Sequence, residues 1–222
     1  MFRVALLGHS QIPRRLDHHI EGVEVTIFRA PGGKVTNFLN DNRLNRILNF
    51  EHDLAIIWLG SNDLEYGGTS RLTVDSLISV ANLVEEQCHS RVILVELENR
   101  KYPPYNERIP EGDYMRLKRA VNKKIQKHRF KYIHFRTSQF ELDVDGVHFT
   151  EDAQGLVREK LIKVIKEEKD RISTPLLTVQ SPTVEVADES ELGAVGGVSK
   201  EVKERMKGES ESEVIRAGAS RR

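Results

Sequence analysis

The run Leu54-Ala-Ile-Ile-Trp-Leu59 constrains the fold of this chain more than any other stretch. It is apolar at every position and offers no polar side to water. It is also far shorter than the ~20 residues that cross a bilayer. A β-strand covered on both faces satisfies both facts. Gly60-Ser61-Asn62-Asp63 ends the run with turn-forming residues. Phe2-Arg-Val-Ala-Leu-Leu7 reads the same way, with Val4, Leu6 and Leu7 buried, and stops at Gly8-His9-Ser10, where Gly8 is expected to allow a sharp turn. Arg91–Leu97 is a further strand with Val92, Ile93, Leu94 and Val95 as its core. Val23–Phe28 alternates apolar and polar and closes on Arg29-Ala-Pro-Gly-Gly33. Lys131–Phe135 is a short fifth strand.

Helical spacing fills the intervals. Ile12–Ile20 reads as a short helix or a loop. Asn37–Asn49 carries Phe38, Leu44, Ile47 and Leu48, and its asparagines weaken it as a helix. Val74, Leu77, Ile78, Ala81 and Val84 repeat at helical intervals up to Cys88. Asp113 is an N-cap candidate for a helix with Tyr114, Leu117, Val121 and Ile125 on one face. Thr150 caps a last helix with Glu151 and Asp152 in its first turn and Ala153, Val157, Leu161 and Val164 as its buried stripe. Strands alternating with helices imply an α/β protein: a five-stranded parallel sheet between two helical layers, a three-layer α/β/α sandwich.

Composition narrows the function classes. Lys plus Arg and Asp plus Glu both number 34 in 222 residues, so bulk charge recruits neither nucleic acid nor an acidic membrane. Cys88 is the single cysteine, which rules out an intrachain disulfide, and packing is its expected role. With no membrane-length apolar run and no leader-like segment, a cytoplasmic protein is the expectation. His18-His19 invites a metal reading. Neighbours on a helix face different ways and no partner ligand stands at zinc-like spacing, so no metal and no cofactor is expected. After Phe149 there is no aromatic residue, and the end of the chain is rich in Ser, Glu, Gly, Val and Lys. Residues 1–172 are expected to form the folded unit and 173–222 a disordered tail.

Polar residues gather where such a sheet puts function, at the C-terminal ends of its strands. They are Ser10, Gly32-Gly33, Asn62, and Asp145 with His148. A serine hydroxyl needs a base to become a nucleophile. An imidazole suits that task, and a carboxylate can hold its tautomer and stabilise its cation. An amide and backbone N–H groups suit the oxyanion that acyl transfer creates.

The blocks Gly8-His9-Ser10, Gly32, Gly60-Ser61-Asn62-Asp63 and Asp145-Gly146-Val147-His148 occur in an order that resembles the SGNH hydrolases, also called GDSL-type esterases and lipases. The resemblance spans roughly residues 2–168. It implies a flavodoxin-like SGNH hydrolase fold and a serine esterase working through an acyl-enzyme. By that analogy Ser10 is the nucleophile, His148 the base and Asp145 its partner. Ser10 N–H, Gly32 N–H and Asn62 are then the oxyanion donors, with Gly33 the alternative to Gly32. The family's first block usually reads Gly-Asp-Ser, so His9 is a departure, expected to be structural or at the rim. Asp63 is expected to brace its loop. Tyr102 and Tyr105 either cover the pocket or pack their own loop. The implied partner is an acylated small molecule, and no oligomeric state follows. A second reading is a catalytically silent interaction module within a larger, retroelement-derived protein.

Overall fold

The computed structural model describes residues 1–13, 16, 20–39, 42–101, 109–136 and 140–173. Its five strands are β1 (Phe2–Gly8), β2 (Val23–Arg29), β3 (Leu54–Trp58), β4 (Arg91–Val95) and β5 (Lys131–Ile133). They form one parallel sheet in the order β2-β1-β3-β4-β5. The helices are α1 (Val35–Phe38), α2 (Asn42–Leu48), α3 (Ser61–Glu65), α4 (Ser70–Cys88), α5 (Glu111–Ile125) and α6 (Glu151–Ser173).

The unbroken apolar runs now have their explanation. Side chains of a strand alternate between faces, so a strand with helices on both sides must be apolar throughout. Leu54, Ile56 and Trp58 of β3 pack with Val157, Leu161 and Ile165 of α6. Ala55 and Ile57 face the other way, onto Leu77, Val80 and Val84 of α4 and Val121 and Ile125 of α5. Each face thus has its own apolar core, and burial there supplies the main stabilising free energy.

Several local expectations shift. The Asn37–Asn49 segment is two short helices, α1 and α2, with residues 40 and 41 between them outside the described set. Gly60-Ser61-Asn62-Asp63 is more than a turn, because its last three residues begin α3. Thr69 caps α4, accepting from Leu72 N–H at 3.2 Å, and α5 starts at Glu111 after Pro110 rather than at an Asp113 cap. β4 stops at Val95, short of Leu97. There Asn122 of α5 takes over, its Oδ1 accepting from Leu97 N–H at 2.9 Å and its Nδ2 donating to Leu97 O at 3.1 Å. Gly8 has no positive φ. A Cβ there would lie 2.5 Å from Ile12 Cδ1, in the turn that follows, and 2.7 Å from Trp58 O, so a side chain would hinder the turn by contact rather than by backbone conformation. The His18-His19 pair, Tyr102, Tyr105 and residues 174–222 lie outside the described residues. Among the described residues no helix is long and apolar enough to cross a membrane.

Candidate active site

In a 2-1-3-4-5 sheet the chain changes direction between β1 and β3, and a crevice opens at their C-terminal ends. Ser10 follows β1 there. Ile12 N–H donates to His9 O at 3.4 Å, closing a tight turn that leaves Ser10 half-buried.

The segment before α6 brings His148 to that turn. Asp143 N–H donates to His148 O at 2.7 Å and Thr150 N–H to Glu141 O at 3.1 Å, folding 141–150 back on itself. Asp145 Oδ1 accepts from the N–H groups of Val147 and His148 at 2.8 and 2.9 Å. Its Oδ2 lies 2.5 Å from His148 Nδ1. An ionised carboxylate only accepts, so the imidazole proton sits on Nδ1 and the Nε2 lone pair faces outward. Ser10 Oγ donates to that Nε2 at 2.9 Å. Partial burial pushes the Asp145 carboxyl up, but the hydrogen bonds from His148 and Val147 outweigh it and hold the group below its ordinary value.

Two contacts lock this segment to the rest of the sheet rim. Gln11, 1 % exposed, donates through Nε2 to Val147 O and accepts at Oε1 from Phe149 N–H at 3.1 Å. One buried amide directly after Ser10 therefore grips both neighbours of His148. Gly146 has φ +67°, and Lys101 N–H donates to its carbonyl at 2.8 Å. A Cβ on Gly146 would stand 1.6 Å from Lys101 O, so only glycine fits.

The loop after β2 is a turn in which Gly33 N–H donates to Ala30 O at 2.8 Å and Gly32 takes φ +67°. Pro31 followed by Gly32 suits a type II turn. Gly33 N–H is thereby engaged, while no acceptor for Gly32 N–H appears among the described residues. Asn62 and Asp63, at the start of α3, hold this loop from the other side. Asn62 Nδ2 donates to Gly33 O at 3.0 Å. Asp63 accepts from Val35 N–H at 2.8 Å and Thr36 N–H at 3.3 Å. Burial raises the Asp63 carboxyl above its ordinary value against the pull of those N–H groups. Asp63 braces a loop, but that loop is the glycine loop rather than its own.

Beneath these groups lies a buried polar network. Glu98, fully buried, accepts at Oε2 from Trp58 Nε1 at 3.2 Å and at Oε1 from Arg100 Nε and Nη2 at 3.2 and 3.1 Å. Arg100, 1 % exposed, also pairs with Glu65 and donates to Asn62 Oδ1 at 3.0 Å. His9 accepts at Nδ1 from Gln11 N–H at 3.4 Å, which places its proton on Nε2, 3.4 Å from Glu98 Oε2. Burial pushes the Glu98 carboxyl up, yet His9 and Arg100 pull it well below the carboxylate range. His9 is therefore an interior residue turned away from solvent. Sequence reasoning left Glu65, Glu98 and Arg100 out. The available signal was two charged residues directly beyond the C-terminal end of an apolar strand, in Leu97-Glu98-Asn99-Arg100. Among the described residues no group of three or more His, Cys, Asp or Glu side chains is arranged to hold a metal ion.

Residues 6–156 match the model of the GDSL-like lipase/acylhydrolase family. No curated protein matches the chain in sequence. Among solved structures, a lipase/acylhydrolase from Enterococcus faecalis is 20 % identical with a TM-score of 0.57, over 76 % of this chain and 97 % of that one. A GDSL-like lipase from Bacteroides thetaiotaomicron is 16 % identical with a TM-score of 0.60, over 75 % and 88 %. A psychrotrophic esterase from Pseudoalteromonas sp., inhibited by monoethylphosphonate, is 15 % identical with a TM-score of 0.55, over 76 % and 98 %. At these identities the likeness is one of fold.

Proposed function

The chain belongs to the GDSL-like lipase/acylhydrolase family, and on that premise we propose that it is a serine esterase whose nucleophile is Ser10. The observation that carries this reading is the hydrogen-bonded series from Ser10 Oγ to His148 Nε2, 2.9 Å, and from His148 Nδ1 to Asp145 Oδ2, 2.5 Å. His148 removes the Ser10 proton as Oγ attacks the carbonyl carbon of a carboxylic ester. Asp145 keeps the proton on Nδ1 and stabilises the imidazolium that forms. The N–H groups of Ser10 and Gly32 and the Asn62 amide receive the charge that develops on the carbonyl oxygen. Gly32 is preferred to Gly33 because the Gly33 N–H is already bonded to Ala30 O. The tetrahedral intermediate collapses as His148 protonates the departing alcohol. Water, deprotonated by His148, then cleaves the acyl-Ser10 ester and returns the serine.

Hydrolysis of p-nitrophenyl acetate tests the assignment. Ser10→Ala and His148→Ala should each lose at least ~10³-fold in kcat while melting like the parent. A parental rate in either variant would contradict the reading, and a parent that hydrolyses the ester no faster than buffer would favour the catalytically silent module.

A further inference from the structure

We propose that Arg100 is a positioning residue that fixes the orientation of the Asn62 carboxamide and so directs an amide N–H at the oxyanion, an inference that rests on the esterase reading above. A carboxamide has two orientations differing by a half-turn, and they exchange its acceptor for its donors. Only one presents N–H to a developing negative charge at a given point. Arg100 selects it, because a guanidinium donates and never accepts. With Arg100 Nη2 3.0 Å from Asn62 Oδ1, the reversed amide would set donor against donor. Asn62 is 6 % exposed and Arg100 1 %, so water offers that reversed state little relief.

The remaining contacts hold the parts in register. Asn62 Nδ2 donates one N–H to Gly33 O at 3.0 Å, which turns the carboxamide along the glycine loop and leaves the second N–H of the same nitrogen. Arg100 is anchored by Glu98 from β4's exit and by Glu65, one turn beyond Asn62 on α3. It therefore grips Asn62 and Glu65 on one side of the same short helix. Its guanidinium also lies 5.8 Å from the Tyr114 ring, and Tyr114 Oη donates to Glu98 O at 3.0 Å. The guanidinium charge beside Oδ1 polarises the amide and makes the outward N–H a stronger donor.

A double-mutant cycle on p-nitrophenyl acetate hydrolysis separates positioning from general support. Asn62→Ala should lower kcat by ~10²–10³-fold. Arg100→Lys keeps the charge but loses the planar fork, and should lower kcat by ~10–10²-fold with little change in KM. The combined variant should be no slower than Asn62→Ala, because Arg100 acts through the amide that is then missing. Where Arg100→Lys gives no cooperative melt, Arg100→Gln with Glu65→Gln removes one buried charge of each sign and carries the same comparison. Losses that multiply, or an unchanged kcat in Arg100→Gln with Glu65→Gln, where a group that can also accept replaces the donor-only guanidinium, would overturn the proposal while Ser10→Ala remained inactive. Activity in Ser10→Ala, or a parental rate in Asn62→Ala, would instead remove the esterase reading or its amide donor, and the proposal with it.

Discussion

At the scale of single residues, His9 shows how a departure from the Gly-Asp-Ser block is accommodated beside Ser10. The family's usual aspartate would place a second carboxylate against Glu98, whose Oε2 now lies 3.4 Å from His9 Nε2. Both positions are buried, and like charges there repel strongly. His9→Asp should therefore destabilise the fold by ~3 kcal/mol or more, read from urea unfolding, unless Glu98→Gln accompanies it. Equal stability of the single variant and the parent would contradict this account of the pair. Ser10, Gly32 and Asn62 each follow a strand within four positions, whereas Asp145 and His148 lie well past β5 and are marked instead by their own three-residue spacing before α6. His9, Glu98 and Arg100 could not be joined in the same way, since their contacts cross from β1 to the exit of β4 and no short-range pattern encodes that pairing.

At the scale of elements, apolar runs marked β1, β3 and β4, because burial on two faces leaves a near-continuous signal, while the partly exposed β2 showed through alternation instead. Short helices were less legible. α3 spans five residues, too few to show a period, and its first residues also spell a turn. Starts governed by caps moved as well, with Thr69 and Pro110 preceding the apolar stripes by several residues. The 141–150 segment has no regular element, yet it depends on a few backbone contacts, with Gly146 at their centre. Gly146→Ala combines φ +67° with a Cβ 1.6 Å from Lys101 O. Conformation alone costs ~1–2 kcal/mol, and the clash must also move the loop that carries Asp145. The expected result is a lower melting temperature together with reduced esterase activity. A variant with parental activity and melting would show that the Lys101 contact does not position this loop.

At the scale of the whole molecule, one sheet order gathers chemistry from chain positions far apart and seats it on buried charge. That arrangement makes stability depend on acid. Burial alone would raise the Glu98 carboxyl, but its partners hold it well below the usual range in the folded state. A depressed folded value means that the stabilisation is fully present above the unfolded value of ~4.3 and is lost as pH falls toward the folded one. Unfolding free energies measured from pH 7 to pH 3 should therefore fall more steeply for the parent than for Glu98→Gln, and parallel curves would contradict the network described. Asp145 is also held below its ordinary value, so its carboxylate persists as the partner of His148 further into acid than a free aspartate would. The proposed esterase depends on attack by Ser10, activated by His148, at the rim of this sheet. Its most direct measurement is treatment of the full chain with a p-nitrophenyl alkylphosphonate, followed by peptide mass spectrometry. One phosphonyl adduct is expected on Ser10, formed with release of p-nitrophenol and strongly suppressed in His148→Ala. An adduct on another residue, or a chain left unlabelled, would contradict it.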